Sequence, residues 1–377
     1  MSSSNKKNDK ASRNSNLFYD FFGIGDDETR NFKKSSSYGF QDGAECLVNH
    51  YYKTKCCLDI TDKNAGKNRI GVPQKIHFVW LGPNSIPSIF LPSELSGDDC
   101  ESPFMIDGWN NAMISWRQKH PDWTFKLWRE SDIESLFEEV SVQSANDEDM
   151  NLFRDVQNLY ERLLFIEKNY VMASDVVRWC ILYMKGGVYI DIDYYCVGSL
   201  FLINQSFDWY CGASNVDKRL EINNGLLGSS PHHYLTSLIL QHLVEKNSKP
   251  TFFSLGKIQH DFSSNISSFL DQESLKVIET TRREAKFSWI LKQTGPIFLT
   301  RFLFEHFQNK YDACIDARVC ILPFHYFHPV PNSMNFRANK WAKYSKESSF
   351  IAKLREEKRI NEETCAVHLW ACSWQNI

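Results

Sequence analysis

The chain has 377 residues, of which 42% are hydrophobic and 14% aromatic, and a formal net charge of −3. This apolar content is enough for a large packed core and excludes a chain that is disordered throughout. The near-balanced charge argues against nucleic-acid binding by broad electrostatic attraction, and no apolar run approaches the roughly 20 residues that span a bilayer.

The N-terminal part is expected to lie outside the main domain. Residues 1–16 are mostly Ser, Asn and Lys, which predicts a flexible polar tail without a secretory signal peptide. Residues 17–70 mix aromatic and polar runs, and we predict a helical N-terminal extension there. The eleven cysteines include no zinc-finger spacing. They therefore indicate buried thiols in a soluble, cytoplasmic protein.

The main domain is predicted to span residues 71–377 and to alternate strands with helices. A β-branched and aromatic run at 76–81 lies between Pro73 and Gly82, which is typical of a short strand. Further strands are predicted at 124–128 and 188–193, and helices at 108–119, 131–169, 171–185 and 232–246, with another beginning at Thr294-Gly295-Pro296. This alternation indicates an α/β layered fold.

Two aspartates end an apolar run at the centre of this domain. Asp191 and Asp193 follow a Gly-Gly pair and the run that begins at Val188. In a continuous strand the two carboxylates point to one face, with Cα atoms about 6.7 Å apart, while Ile190 and Ile192 face the core. Paired oxygen ligands at the end of a strand are typical of a Mg²⁺ or Mn²⁺ site that holds a diphosphate. The pair therefore indicates an enzyme that acts on a nucleotide-sugar.

The predicted helix before this strand carries a second pair of charged residues. Asp175 and Arg178 are three positions apart, so they share one helix face. One interpretation is an exposed ion pair worth under about 1 kcal/mol. In the other, Asp175 accepts hydrogen bonds from sugar hydroxyls, and Arg178 donates to sugar or phosphate.

The C-terminal stretch is aromatic, although chain ends are often polar. It contains His368, Ser373 and Trp374. One interpretation is a tail that merely caps the core. In the other, His368 completes the shell of the cation, which favours Mn²⁺ over Mg²⁺, and Ser373 and Trp374 close over the diphosphate.

Taken together, these motifs resemble the DXD-containing glycosyltransferases. That group includes the yeast-type initiating mannosyltransferases and the glucosylating domains of large clostridial toxins. The resemblance spans residues 71–377, and its motifs are Ile76–Gly82, Ser174-Asp175-x-x-Arg178, Gly186–Asp193 and His368-x4-Ser373-Trp374. It implies a GT-A fold, which is a Rossmann-like α/β domain that binds a nucleotide-sugar, here with helical insertions. It also implies transfer with retention at the anomeric carbon.

The resemblance also implies a role for each site residue. Asp191 and Asp193 are similar to the DXD pair, with Asp193 the direct metal ligand and His368 a further one. Asp175 and Arg178 are similar to the sugar-contacting, catalytic pair. The other positions that would contact the donor are Val79, Trp80, Tyr189, Asn224, Ser373 and Trp374. Trp80 would stack on the nucleobase. Asn223 competes with Asn224 for the role of the donor-contacting asparagine.

A UDP-sugar is the donor that the resemblance implies, and we expect a protein acceptor because no membrane anchor is predicted. Secreted bacterial effectors that glycosylate host proteins are a comparable case. A polysaccharide or glycolipid acceptor is the alternative.

Two other classes of protein stay open. Haloacid-dehalogenase-like phosphatases also place Asp-x-Asp at a strand end, but they usually have Thr or Val where this chain has Tyr195. A nucleotide-sugar-binding module without activity is the other class.

Overall fold

The structure is a computed structural model, and the part of the chain that it describes excludes most of the N-terminal region. The predicted tail and all of the predicted helical extension except Tyr51 lie outside it, as do Ser373 and Trp374. The domain boundaries therefore stay predictions. The described residues are 51, 71–83, 112–143, 147–216, 219–248, 272–310, 318–332 and 347–370.

Strands and helices alternate along most of the described chain. The strands are β1 Lys75–Val79, β2 Thr124–Trp128, β3 Gly187–Ile190, β4 Tyr194–Cys196, β5 Trp209–Val216, β6 Arg219–Ser229, β7 Val319–Leu322 and β8 Ala366–His368. The helices are α1 112–119, α2 Glu130–Gln143, α3 Asp147–Glu161 with a π-helical turn Arg162–Ile166, α4 Tyr170–Lys185, α5 Phe201–Ser206, α6 Tyr234–Lys246, α7 Gln272–Gln293, α8 Pro296–Lys310, α9 Phe324–Phe327 and α10 Glu347–Glu356.

The central sheet is mixed and has the strand order β2-β1-β3-β6-β5-β7. Strands β2, β1 and β3 run parallel, β6 runs antiparallel to β3 and β5, and β7 runs parallel to β5. A separate antiparallel pair joins β4 to β8. The predicted α/β class is confirmed. The sequence pattern did not reveal β5 and β6, because Gly and Asn residues interrupt their apolar runs.

Helix α4 packs behind the sheet and leads directly into β3. Asn169 caps its N-terminus, since the side chain accepts the Met172 N–H at 3.2 Å. The helix ends at Gly186, where φ is +57°, and Gly187 follows with φ +102°. A Cβ atom at Gly186 would lie 2.6 Å from Pro231 Cδ, so only glycine fits this reversal. The Gly-Gly pair thus connects the helix to the strand without a loop.

His77 is a neutral histidine in the core of β1. The Trp128 indole N–H donates to its Nδ1 at 3.1 Å, so its Nε2 carries the proton and donates to the Gly186 carbonyl at 2.8 Å. Burial is the main cause that lowers the pKa of His77 to about 4, whereas the hydrogen bond to the Gly186 carbonyl raises this pKa. Nearby cations lower this pKa further, namely Lys75, Lys126 and Lys185.

We expect His77 to make the protein less stable as the pH falls from 6.5 towards 4. In this window the unfolded chain binds a proton at His77 that the folded chain does not, and the full loss is about 3 kcal/mol near pH 4. Urea denaturation at several pH values measures the loss. A His77→Gln variant should lose less stability over the same window, whereas His242→Gln, at a half-exposed histidine, should follow the wild type. Equal pH dependence in all three proteins would contradict this expectation.

Candidate functional site

The two aspartates lie in a turn after β3 and not on the strand itself. The strand ends at Ile190, and the Tyr194 N–H donates to the Asp191 carbonyl at 3.2 Å, which closes a turn. The Asp191 N–H donates to the Gly225 carbonyl of β6 at 2.7 Å. The prediction that a continuous strand holds both carboxylates on one face was therefore wrong, because the chain bends at Asp191. The carboxylates have different partners as a result.

Asp191 is held on the side of helix α4. Its Oδ1 accepts the Tyr189 hydroxyl proton at 2.5 Å and lies 3.6 Å from Arg178 Nη1. Burial raises the pKa of Asp191, Arg178 opposes this, and the nearby Asp193 adds to it. The side chain nevertheless stays 33% exposed. Asp191 is thus a fixed carboxylate that still reaches the surface of the site.

Asp193 faces β8, near the end of the described chain. Its Oδ2 lies 3.3 Å from His368 Nε2, and its carbonyl accepts the Leu369 N–H at 2.8 Å. The β4–β8 pairing places Tyr194 opposite His368. The imidazole stacks on Tyr194, with ring centroids 4.2 Å apart, and contacts Trp370 in a tilted arrangement with centroids 3.9 Å apart. These contacts fix His368 beside the second aspartate of the pair.

Asp175 and Arg178 form an ion pair inside the protein. Arg178 Nη2 lies 2.8 Å from Asp175 Oδ1, and both side chains are at most 6% exposed. The interpretation as an exposed ion pair was therefore wrong. Asp175 also accepts the Asn224 amide N–H on Oδ1 at 3.0 Å and the Thr294 hydroxyl proton on Oδ2 at 2.8 Å. Burial raises the pKa of Asp175, and these three donors oppose the shift.

Arg178 links this buried pair to the aspartate turn. Its Nη1 donates to the Asn224 carbonyl at 2.7 Å and is the atom near Asp191. The guanidinium lies over the Tyr189 ring, 4.4 Å from the centroid. One buried cation therefore contacts two carboxylates, a strand carbonyl and an aromatic ring, and it fixes the turn relative to α4 and β6.

The remaining predicted site residues lie on β1 and β6. Val79 is buried in the core. Trp80 is partly exposed just after β1, and its backbone N–H donates to the Trp128 carbonyl at 3.0 Å. Asn224 joins the Asp175 cluster. Asn223 instead accepts the Tyr194 hydroxyl proton at 3.0 Å.

Thr294 is a member of the buried cluster that the sequence did not predict. The Thr294-Gly295-Pro296 motif predicted only the start of a helix. The Thr294 hydroxyl in fact donates to Asp175, which lies 119 positions earlier in the chain. No local pattern around Thr294 signals this contact.

The described residues supply two adjacent donors for a divalent cation. Asp193 Oδ2 and His368 Nε2 lie 3.3 Å apart, and a carboxylate oxygen with an imidazole nitrogen would suit a cation such as Mn²⁺. Within the described ranges, no group of three or more His, Cys, Asp or Glu side chains is placed to hold a metal. The described geometry thus does not assemble the predicted trio of Asp191, Asp193 and His368.

A comparison with known protein families agrees with these motifs. Residues 107–210 match the family model described as "Glycosyltransferase sugar-binding region containing DXD motif". This segment is similar to the sugar-binding region of DXD glycosyltransferases. It contains both charged pairs, Asp175 with Arg178 and Asp191 with Asp193. The match confirms the resemblance that the motifs predicted.

One curated relative and several solved structures are similar to the chain. Inositol phosphoceramide mannosyltransferase 2 of Schizosaccharomyces pombe is 30% identical over 143 residues, 38% of this chain and 35% of that protein. The chain therefore spans about a third of that relative. The structure of PaToxG glycosyltransferase matches with a TM-score of 0.33 and 14% identity, over 84% of this chain and 95% of that one. The UDP-bound glycosyltransferase domain from the YGT toxin matches with a TM-score of 0.32 and 12% identity, over 79% and 80%.

None of the helices in the described part of the chain is long and apolar enough to cross a membrane.

Proposed function

We propose that the chain is a metal-dependent glycosyltransferase that moves a sugar from a UDP-sugar to a protein, with retention at the anomeric carbon. The observation that carries the proposal is the contact network of the DXD turn. Asp193 lies beside His368, Asp191 lies beside Arg178, and all but His368 belong to the segment that matches the sugar-binding region. A nucleotide-sugar enzyme needs this combination of acidic and basic groups at one site.

In this proposal Asp193 and His368 hold a divalent cation, Mn²⁺ in preference to Mg²⁺ because one ligand is an imidazole. When bound, the cation would neutralise charge on the departing UDP. The stack on Tyr194 and the tilted contact with Trp370 keep the imidazole of His368 aligned with Asp193. Asp191 adds negative charge beside this pair, and Tyr189 and Arg178 fix its position.

The buried cluster is proposed to form one wall of the sugar subsite. Asp175 accepts three hydrogen bonds, which leaves a further lone pair for a sugar hydroxyl. Trp80, partly exposed just after β1, is proposed to stack on the uracil, with Val79 beneath it in the core. Ser373 and Trp374 are proposed to close over the diphosphate.

Retention is proposed to proceed by displacement on the front face of the sugar. A covalent intermediate needs a carboxylate that is free to attack the anomeric carbon. Asp175, the carboxylate assigned to the sugar, is fixed by donors from Arg178, Asn224 and Thr294, which engage both of its oxygens. It is therefore a poor nucleophile, and the acceptor hydroxyl would have to attack directly.

A glycolipid is the second candidate acceptor. The observation in its favour is the name of the curated relative, an inositol phosphoceramide mannosyltransferase. A phosphatase is disfavoured, because the segment around the two aspartates matches a glycosyltransferase family.

The function is tested by a screen of UDP-sugars for hydrolysis and transfer. We expect release of UDP from at least one UDP-sugar with Mn²⁺ present and loss of that release with EDTA. Addition of a protein extract or a glycolipid should identify the acceptor class. Hydrolysis of an aryl phosphate with trapping of a phosphoenzyme would overturn the proposal in favour of a phosphatase. UDP binding without any hydrolysis or transfer would overturn it in favour of a binding module.

Gly225→Ala is expected to weaken this activity without unfolding the protein. A Cβ atom at this position would lie 2.6 Å from Asp191 Oδ2 and 2.9 Å from Asn223 Oδ1. Asp191 would have to move, and a shift of about 1 Å near reacting groups can lower the rate about 100-fold. We expect at least a tenfold loss of UDP release with an unchanged far-UV circular dichroism spectrum. Activity at the wild-type level would show that the position of Asp191 does not matter.

A further inference from the structure

We propose that Thr294 is a positioning residue for the donor sugar, because its hydroxyl fixes the Asp175 carboxylate. The proposal rests on the proposed function, in which Asp175 contacts the sugar. Thr294 is fully buried between α7 and α8, and its hydroxyl donates to Asp175 Oδ2 at 2.8 Å. Arg178 and Asn224 both engage the other oxygen, Oδ1. In the described part of the chain, Thr294 is therefore the donor that fixes the second oxygen.

The turn around Thr294 does not need this hydroxyl for its own structure. The N–H groups of Thr294 and Gly295 donate to the Ile290 carbonyl at 3.1 and 3.3 Å. The Leu299 N–H then donates to the Gly295 carbonyl at 3.1 Å, so backbone bonds carry the chain from α7 into α8. The Thr294 hydroxyl is therefore available to donate a hydrogen bond to Asp175.

Loss of the hydroxyl would change the sugar subsite more than the cation site. Without Thr294, Oδ2 would be a buried acceptor without a partner, and the strong donor Arg178 would draw the carboxylate towards itself. The carboxylate would rotate away from its present plane, and Asn224 would lose alignment with Oδ1. The Asp175 carboxylate is bound by Thr294, Arg178 and Asn224, whereas Asp193 lies beside His368. The affinity for UDP with Mn²⁺ should therefore persist.

The proposal is tested by comparing the binding of UDP with that of the UDP-sugar that the wild type hydrolyses. Thr294→Val has nearly the shape of threonine but lacks the hydroxyl, whereas Thr294→Ser keeps it. Calorimetry with Mn²⁺ should show UDP-sugar affinity at least about tenfold lower in Thr294→Val, with UDP affinity within twofold of the wild type. Thr294→Ser should restore the affinity to within about threefold. Thr280→Val, at an exposed position of α7, should change neither affinity.

Two results would overturn the proposal. One is unchanged UDP-sugar affinity in a folded Thr294→Val protein. The other is an equal loss of affinity for UDP and UDP-sugar, which would indicate general damage to the fold. If Thr294→Val does not fold, the same two affinities are measured for Thr294→Cys, because a thiol is only a weak hydrogen-bond donor. The same two results would then overturn the proposal. A wild-type protein that binds no UDP-sugar would instead refute the proposed function, and this result is apparent before any variant is made.

Discussion

The Asp193→Asn variant is expected to release UDP from a UDP-sugar at a Mn²⁺-stimulated rate at least about 100-fold below that of the wild type. In the proposed site, Asp193 is the direct carboxylate ligand, and its Oδ2 lies 3.3 Å from His368 Nε2. An asparagine there would remove a negatively charged ligand from the bound cation, which would supply several kcal/mol of charge stabilisation to the leaving diphosphate. A loss of about 3 kcal/mol corresponds to roughly 100-fold in rate. Initial rates over a range of Mn²⁺ concentrations measure the change.

A matched control for this variant is Asp122→Asn. Asp122 is exposed in the turn before β2 and lies outside the proposed site, so its variant should keep wild-type rates. Circular dichroism establishes that both variants are folded. Wild-type activity in a folded Asp193→Asn protein would remove this residue from the mechanism.

Arg178→Met is expected to lower the free energy of unfolding by about 3–5 kcal/mol. The ion pair of Arg178 with Asp175 is buried, and removal of one partner leaves an uncompensated charge in the core. Methionine keeps much of the apolar stem over the Tyr189 ring, so loss of charge is the main effect. Urea denaturation of the wild type and the variant at pH 7 measures the difference.

Two further variants separate charge from packing. Arg154→Met, at an exposed position of α3, should change stability by less than about 0.5 kcal/mol. The double variant Asp175→Asn with Arg178→Met should be more stable than Arg178→Met alone, because no buried charge is then left without a partner. Equal stability of Arg178→Met and the wild type would show that the ion pair contributes nothing to the fold.

The sequence predicted the parts of the fold that depend on short-range patterns. A β-branched and aromatic run marks β1, and an apolar stretch closed by Gly186-Gly187 marks α4 and β3. These signals are local, because side-chain periodicity and the freedom of glycine act over a few residues. Strands β5 and β6 lack such a signal. Their polar residues contact partners far away in sequence, as Asn224 contacts Asp175.

The candidate site was predictable in its residue types but not in its geometry. Asp191 and Asp193 are recognisable from their spacing after an apolar run. The turn that separates them depends on the backbone bond of Asp191 to Gly225 on another strand, which no local pattern encodes. Likewise, the i and i+3 spacing placed Asp175 and Arg178 on one helix face but could not decide whether that face is buried. The packing of β6 against α4 decides it.

The aspartate turn is proposed to bind a nucleotide through a divalent cation. Isothermal titration calorimetry of UDP into the wild-type chain, with Mn²⁺ and then with EDTA, measures this binding. We expect saturable binding with Mn²⁺ that EDTA abolishes, and at least tenfold weaker binding to Asp193→Asn than to Asp122→Asn. UDP binding that is equally strong without a cation, or equally strong in both variants, would contradict this proposal.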